Sequence, residues 1–168
     1  LWLRRQPDRT ILPSIHIIPL VYGVCGLTLR SHTFANWTGL TVLGASLIAI
    51  GIGRREQLFK PLVYLGLIGV SVSGYESVLY QLFQTPGGAF GDGLIVLATL
   101  GTTLTYIYRI LSPWLSSYLH LTNTELKIFA HLHWVLSSVL LISASTHDIK
   151  SGLNLGLVTG ALLVQYAF

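Results

Sequence analysis

Only 10% of this 168-residue chain is charged, so acids and histidines stranded in apolar sequence are the first places to look for chemistry. Glu76 stands out. It follows Ser73-Gly74-Tyr75 and precedes Tyr80 and Gln81 within a long apolar run. Asp92 lies just beyond the turn Pro86-Gly87-Gly88, and Arg30 closes an earlier apolar run. If each run crosses a membrane, these residues meet near one surface. Two carboxylates, a guanidinium and the phenols of Tyr75 and Tyr80 would suit a proton, a cation or a polar substrate. The structural reading is simpler: Glu76 pairs with Arg30 to lock two helices, or reaches out to water. Sequence alone favours the structural reading.

Three histidines make a second constellation. His16, His131 and His133 fall at similar depth in two runs that start from the same side. Imidazoles on separate helices are the ligand type for haem iron or another metal. However, His131 and His133 are two residues apart and point to different helix faces, so at most one meets a given ligand. No Cys-x-x-Cys-His or His-x-x-x-His pattern accompanies them. They read as interfacial residues beside Trp134, and no metal or other cofactor is expected. Phosphate-cradling, dinucleotide-binding, serine-hydrolase and zinc-protease motifs are missing from the sequence. No basic patch interleaved with aromatics suggests nucleic acid.

The elements that position these residues follow from hydropathy. Hydrophobic residues are 52% of the chain and mean hydropathy is +0.66, while six acidic and ten basic residues are too few to coat a soluble domain. The expected solvent is a lipid bilayer. About 20 apolar residues span its core as a helix, and six runs approach that length, near 11–29, 34–52, 58–83, 89–111, 125–145 and 152–168. They are rich in Val, Ile and Thr, but too long and too uniformly apolar for membrane strands. The expected fold is therefore an all-α integral membrane protein, a single domain forming a six-helix polytopic bundle of antiparallel hairpins. Thr122-Asn123-Thr124-Glu125 spells a capping box before the fifth run.

Residues 112–121 are too short to span. Trp114, Leu115, Tyr118 and Leu119 recur at helical spacing, as in a segment lying on a membrane surface. A loop, or a continuation of the fourth helix kinked at Pro113, fits equally well. Eight basic residues (Arg4, Arg5, Arg9, Arg54, Arg55, Lys60, Arg109, Lys127) fall on one side of a six-span arrangement and two (Arg30, Lys150) on the other. Basic residues mark the cytoplasmic side, which places the N-terminus inside. The expected location is a bacterial inner membrane or an internal bacterial or organellar membrane.

Small residues recur where lipid-embedded helices pack closely. They are Gly152, Gly156 and Gly160 in the last run, Ala45, Ala49 and Gly53 in the second, and Gly69 with Ser73 in the third. The chain starts without methionine and stops inside an apolar run, as expected of a piece of a longer protein. Other membrane subunits, or the rest of its own chain, are the expected partners. Short connections leave little room for a catalytic domain, so a transporter-like or membrane-anchoring bundle is expected over an enzyme. The alternative is a membrane enzyme or redox carrier using Glu76 with Asp92, or the histidines.

Overall fold

The computed structural model of the protein describes residues 38–55, 59–84 and 87–168. Those residues form six helices and no strand: α1 (Thr38–Gly53), α2 (Lys60–Gln84), α3 (Phe90–Ile110), α4 (Ser112–Leu119), α5 (Asn123–Ala144) and α6 (Leu153–Ala167). The expected span at 11–29, with His16, and Arg30 beyond it lie outside the described residues. α2, α3 and α5 are long and apolar enough to cross a membrane. α1 and α6 are apolar but have only 16 and 15 described residues. At 1.5 Å per residue, α6 reaches roughly 22 Å against a core of about 30 Å. Three full-length helices, not six, are what the described residues provide.

Local chemistry explains the boundaries. Gly87 has φ +85°, a left-handed backbone that glycine adopts freely and that turns the chain between α2 and α3. At the start of α5 the expected capping box forms. The Thr122 hydroxyl accepts the Glu125 N–H at 3.3 Å, and the Glu125 carboxylate accepts the Thr122 N–H at 2.7 Å. Thr122→Ala is expected to lower stability by about 1 kcal/mol, read as a lower unfolding midpoint in detergent.

The segment at 112–121 is a separate helix, bent away from α3 at Leu111, with Pro113 in its first turn and His120 ending it in the left-handed region. Its four apolar residues are covered unequally. Leu119 and the following Leu121 are buried, whereas Trp114 and Tyr118 are exposed and stacked at 5.1 Å. Leu119 and Leu121 join Ile50, Val63, Leu126 and Phe129 in the hydrophobic core, at the end of the molecule where α2 and α5 begin.

The helices pair as two antiparallel hairpins, α1 with α2 and α3 with α5. In the first, Ser73 Oγ donates to the Gly39 carbonyl at 2.6 Å, and Gly66 and Gly69 face Ser46. Ala49 and Gly53 are buried on the same side of α1, and Ala45 is half-buried. In the second, Gly91 brings its N–H to the Asp148 carbonyl at 3.2 Å, and Gly101 faces Ser137. The hairpins meet through α2, which runs parallel to α5, with Lys60 at Glu125, Tyr64 at Phe129 and Tyr75 at His133. α6 lies parallel to α3. Along it, Gly152 faces Asp92 and Ile95, Gly156 faces Ile95, and Gly160 faces Leu141 of α5.

The interior is unusually hydroxylic. Ser46, Ser71, Ser73, Thr102, Thr105, Ser137 and Thr159 are all buried. Most avoid the cost of a lost water by bonding the carbonyl four residues back: Ser46 to Val42 (2.6 Å), Thr102 to Ala98 (2.8 Å), Thr105 to Gly101 (2.9 Å). Others bridge helices. Thr99 and Thr159 hydroxyls meet at 2.8 Å between α3 and α6, and Thr105 Oγ1 also reaches the Ala130 carbonyl at 3.3 Å.

Candidate functional site

An aromatic ladder runs through the junction of α2, α3 and α5. Tyr64 lies 6.2 Å from Phe129, Phe129 5.9 Å from Tyr108, Tyr108 5.7 Å from His133 and His133 6.0 Å from Tyr75, all with near-parallel rings. Helical spacing produces it. Phe129 and His133 are four apart on α5, so their side chains lie on one face and alternate with tyrosines from the neighbours.

His133 is the polar centre of this ladder. It is the eleventh of the 22 residues of α5 and 7% exposed. Its Nε2 lies 2.9 Å from Ser71 Oγ and its Nδ1 3.4 Å from Tyr75 Oη. Ser71 Oγ also lies 3.1 Å from the Leu67 carbonyl, which its hydroxyl can reach as donor, and which ring nitrogen carries the proton follows the tautomer. These contacts link Tyr75, His133, Ser71 and the backbone of α2.

Beside it lies the one buried side-chain atom among the described residues without a hydrogen-bond partner, Ser137 Oγ, whose residue is wholly buried. Its neighbour is the Tyr75 hydroxyl, and both occupy the space left by the missing side chain of Gly101. Any larger residue at position 101 would displace one of the two hydroxyls. An unpartnered buried hydroxyl costs about 1–3 kcal/mol, and the Tyr75 hydroxyl beside it is the acceptor to which it can donate.

Two further polar clusters hold the ends of the bundle. Where α2 and α5 begin, Glu125 Oε1 accepts from Lys60 Nζ at 2.7 Å and from Tyr64 Oη at 2.6 Å, while Oε2 accepts the capping N–H. At the opposite end, the Asp92 carboxylate accepts the backbone N–H groups of Lys150 (3.1 Å), Ser151 (3.1 Å) and Gly152 (2.9 Å), and the Ser151 hydroxyl at 3.0 Å. Asp92 thus caps α6 from α3, where the free N–H groups of a helix start favour an anion.

The described residues of the expected outer site make no hydrogen bond to one another. Asp92 is engaged by the start of α6. Tyr75 turns inward to His133, and Tyr80 is bonded to Gln84. Glu76 is half-buried, with no hydrogen bond or ion pair to any described residue. The two α5 histidines separate as their spacing requires. His131 is exposed, donates from Nδ1 to the Lys127 carbonyl at 2.6 Å and meets the Tyr166 ring edge-on, whereas His133 is buried. Among the described residues no three His, Cys, Asp or Glu side chains gather as a metal would require.

Sequence reasoning missed the His133 cluster although a signal existed. Ser71 and Tyr75 on α2, and His133 and Ser137 on α5, are pairs four apart in apolar runs, each marking one polar stripe. Which stripes face each other depends on the parallel contact of α2 with α5, and no local pattern encodes that contact. No family model matches the chain, and no match was found among curated proteins or solved structures.

Proposed function

We propose that the protein is a polytopic membrane bundle with a non-enzymatic role, either transporter-like or as a membrane domain that assembles with other subunits. The observation that carries this reading is the inverted polarity of α5. Beyond its first turns, where Lys127 and His131 are exposed, its exposed residues are Leu132, Val135, Leu136, Val139 and Ile142, all apolar, while its buried residues include His133 and Ser137 beside Leu126, Phe129 and Ala130. A helix facing water shows the reverse order. Lipid accepts the outer stripe at no cost, and every inward hydroxyl then needs a protein partner.

The distribution of charge supports a defined orientation. Arg54 lies 3.8 Å over the Tyr118 ring and Arg109 5.2 Å over Tyr166, at the end that also carries Lys60 and Lys127. Lys150 stands at the opposite end beside Asp92. The exposed Trp114–Tyr118 stack at the cationic end suits an interfacial belt. The full proposal is six spans with both ends on the cytoplasmic side of a bacterial or organellar membrane.

Single cysteines in a background lacking Cys25 test this. With membrane-impermeant reagent, cysteines at Ser31, Gly87 and Ser151 should label from the outer side, and cysteines at Glu56 and Ser117 only after the membrane is opened. The protein should also stay with the membrane through alkaline carbonate washing. Release by carbonate, or labelling of both groups from one side, refutes the arrangement.

A further inference from the structure

We propose, on the reading of the protein as a membrane bundle, that the groove between α3 and α6 holds an acyl chain of one phospholipid whose anionic headgroup sits at Arg109. The groove encloses about 440 Å³, within the roughly 300–1,000 Å³ of small-molecule sites. Thr99, Thr102, Thr103, Tyr106 and Thr159 contribute hydroxyls to its wall, yet each already has a partner in the protein. Thr99 bonds the Ile95 carbonyl and the Thr159 hydroxyl, both at 2.8 Å. Thr102 bonds the Ala98 carbonyl at 2.8 Å, Thr103 the Thr99 carbonyl at 2.9 Å, and Tyr106 the Leu162 carbonyl at 2.9 Å. The surface left over is hydrocarbon, with Ile107, Ile110 and Val158 exposed along it. No hydroxyl there waits for a partner, so the groove suits an apolar chain rather than a polar ligand.

Length and charge separate a lipid from a partner helix. Along α3 the groove runs from Thr99 to Leu111, about 18 Å at 1.5 Å per residue. That is close to the depth of one leaflet, half of a core about 30 Å thick, whereas a partner helix would use the full span. The groove opens at the end that carries the cations. Arg109 is exposed there, next in sequence to Ile110 and Leu111 of the groove. Its guanidinium lies 5.2 Å over the Tyr166 ring, which also meets Tyr106 of the groove wall at 6.1 Å and His131 at 5.6 Å. Lys127, one helical turn before His131, is exposed at the same end. Neither cation has an ion pair with a described residue, and the carboxylate at this end, Glu125, is engaged by Lys60 and Tyr64. Two such cations beside an apolar groove of leaflet depth complement a phospholipid with a net negative head.

The test is native mass spectrometry of the whole chain in mild detergent, stripped of lipid and then titrated with one lipid at a time. With identical acyl chains, one phosphatidylglycerol should bind about fivefold or more tightly than phosphatidylcholine. Arg109→Gln should remove most of that preference while phosphatidylcholine binding stays as in the parent, and Arg109→Lys should keep it. Lys150→Gln, at the opposite end, should change nothing. Val158→Trp fills the groove from an exposed position and should weaken both lipids together. Inorganic phosphate should not displace the lipid. Equal affinity for the two lipids in the parent, or a preference that survives Arg109→Gln, overturns the proposal. Displacement by phosphate, or parent-like binding in Val158→Trp, overturns it as well. So does a dimer that takes up no lipid and is lost in Val158→Trp, which would assign the groove to a second copy. Retention through carbonate washing without lipid preference sinks this inference alone, whereas release by carbonate sinks the membrane reading and this inference with it.

Discussion

Gly66→Ala is expected to destabilise the protein by about 2–3 kcal/mol, a large effect for a single methyl group. A Cβ at position 66 would sit 2.5 Å from Ile50 Cγ1 and 2.7 Å from the Ser46 carbonyl oxygen. The isoleucine can turn aside. The carbonyl cannot, because it belongs to the backbone of α1, so the two helices must move apart. Separation also strains the bond from Ser73 to the Gly39 carbonyl further along the same contact. Gly44 is the control, since a Cβ there meets nothing within 4 Å among the described residues. Gly44→Ala should be neutral or stabilising by up to about 1 kcal/mol, the helix preference of alanine over glycine. Chemical unfolding of both variants in mild detergent measures the contrast. Equal midpoints would show that α1 and α2 do not pack as closely as described.

Asp92→Ala is expected to free the start of α6. The carboxylate is the shared acceptor for three consecutive backbone N–H groups and one hydroxyl, and alanine removes all of these bonds together. Water at this exposed end replaces some of the lost bonding, so local opening rather than global unfolding is the sensitive readout. Amide exchange at 150–152 should accelerate by at least about tenfold, while amides in the middle of α5 keep their rates. Asp92→Asn should fall between the two, because it keeps one acceptor oxygen but turns an amide donor toward N–H groups. Unchanged exchange at 150–152 would exclude the cap.

The contrast between Gly66 and Asp92 shows which features can be read from the sequence. The positions of α2, α3 and α5 follow from uninterrupted hydropathy, and the start of α5 from the Thr122–Glu125 capping box, because both signals lie within a few residues of the element they mark. The turn at Gly87 is equally local. Asp92 looked like half of a site with Glu76 because both are acids near the same turn. Its actual partners are amides some 60 residues away, and backbone donors leave no trace in side-chain identity. Glu125 was legible as a cap but not as the partner of Lys60 and Tyr64, which required α2 and α5 to start side by side. The burial pattern of α4 was illegible for a related reason. A stripe of Trp114, Leu115, Tyr118 and Leu119 satisfies helical spacing, yet neighbours decide which of the four residues they bury.

The division of the interior hydroxyls into two kinds has a consequence for how this sequence can change over generations. Ser46, Thr102 and Ser138 bond carbonyls of their own helices. Each can be exchanged for alanine or valine of fitting volume without stranding a partner elsewhere, so drift at these positions is close to silent. Ser73, Thr99 and Thr159 bond across helix boundaries. Loss of the Thr99 hydroxyl leaves the buried Thr159 hydroxyl without its partner, so the pair is expected to change together. The lineage of this bundle should therefore tolerate single substitutions at the first group and show only paired exchanges between α3 and α6.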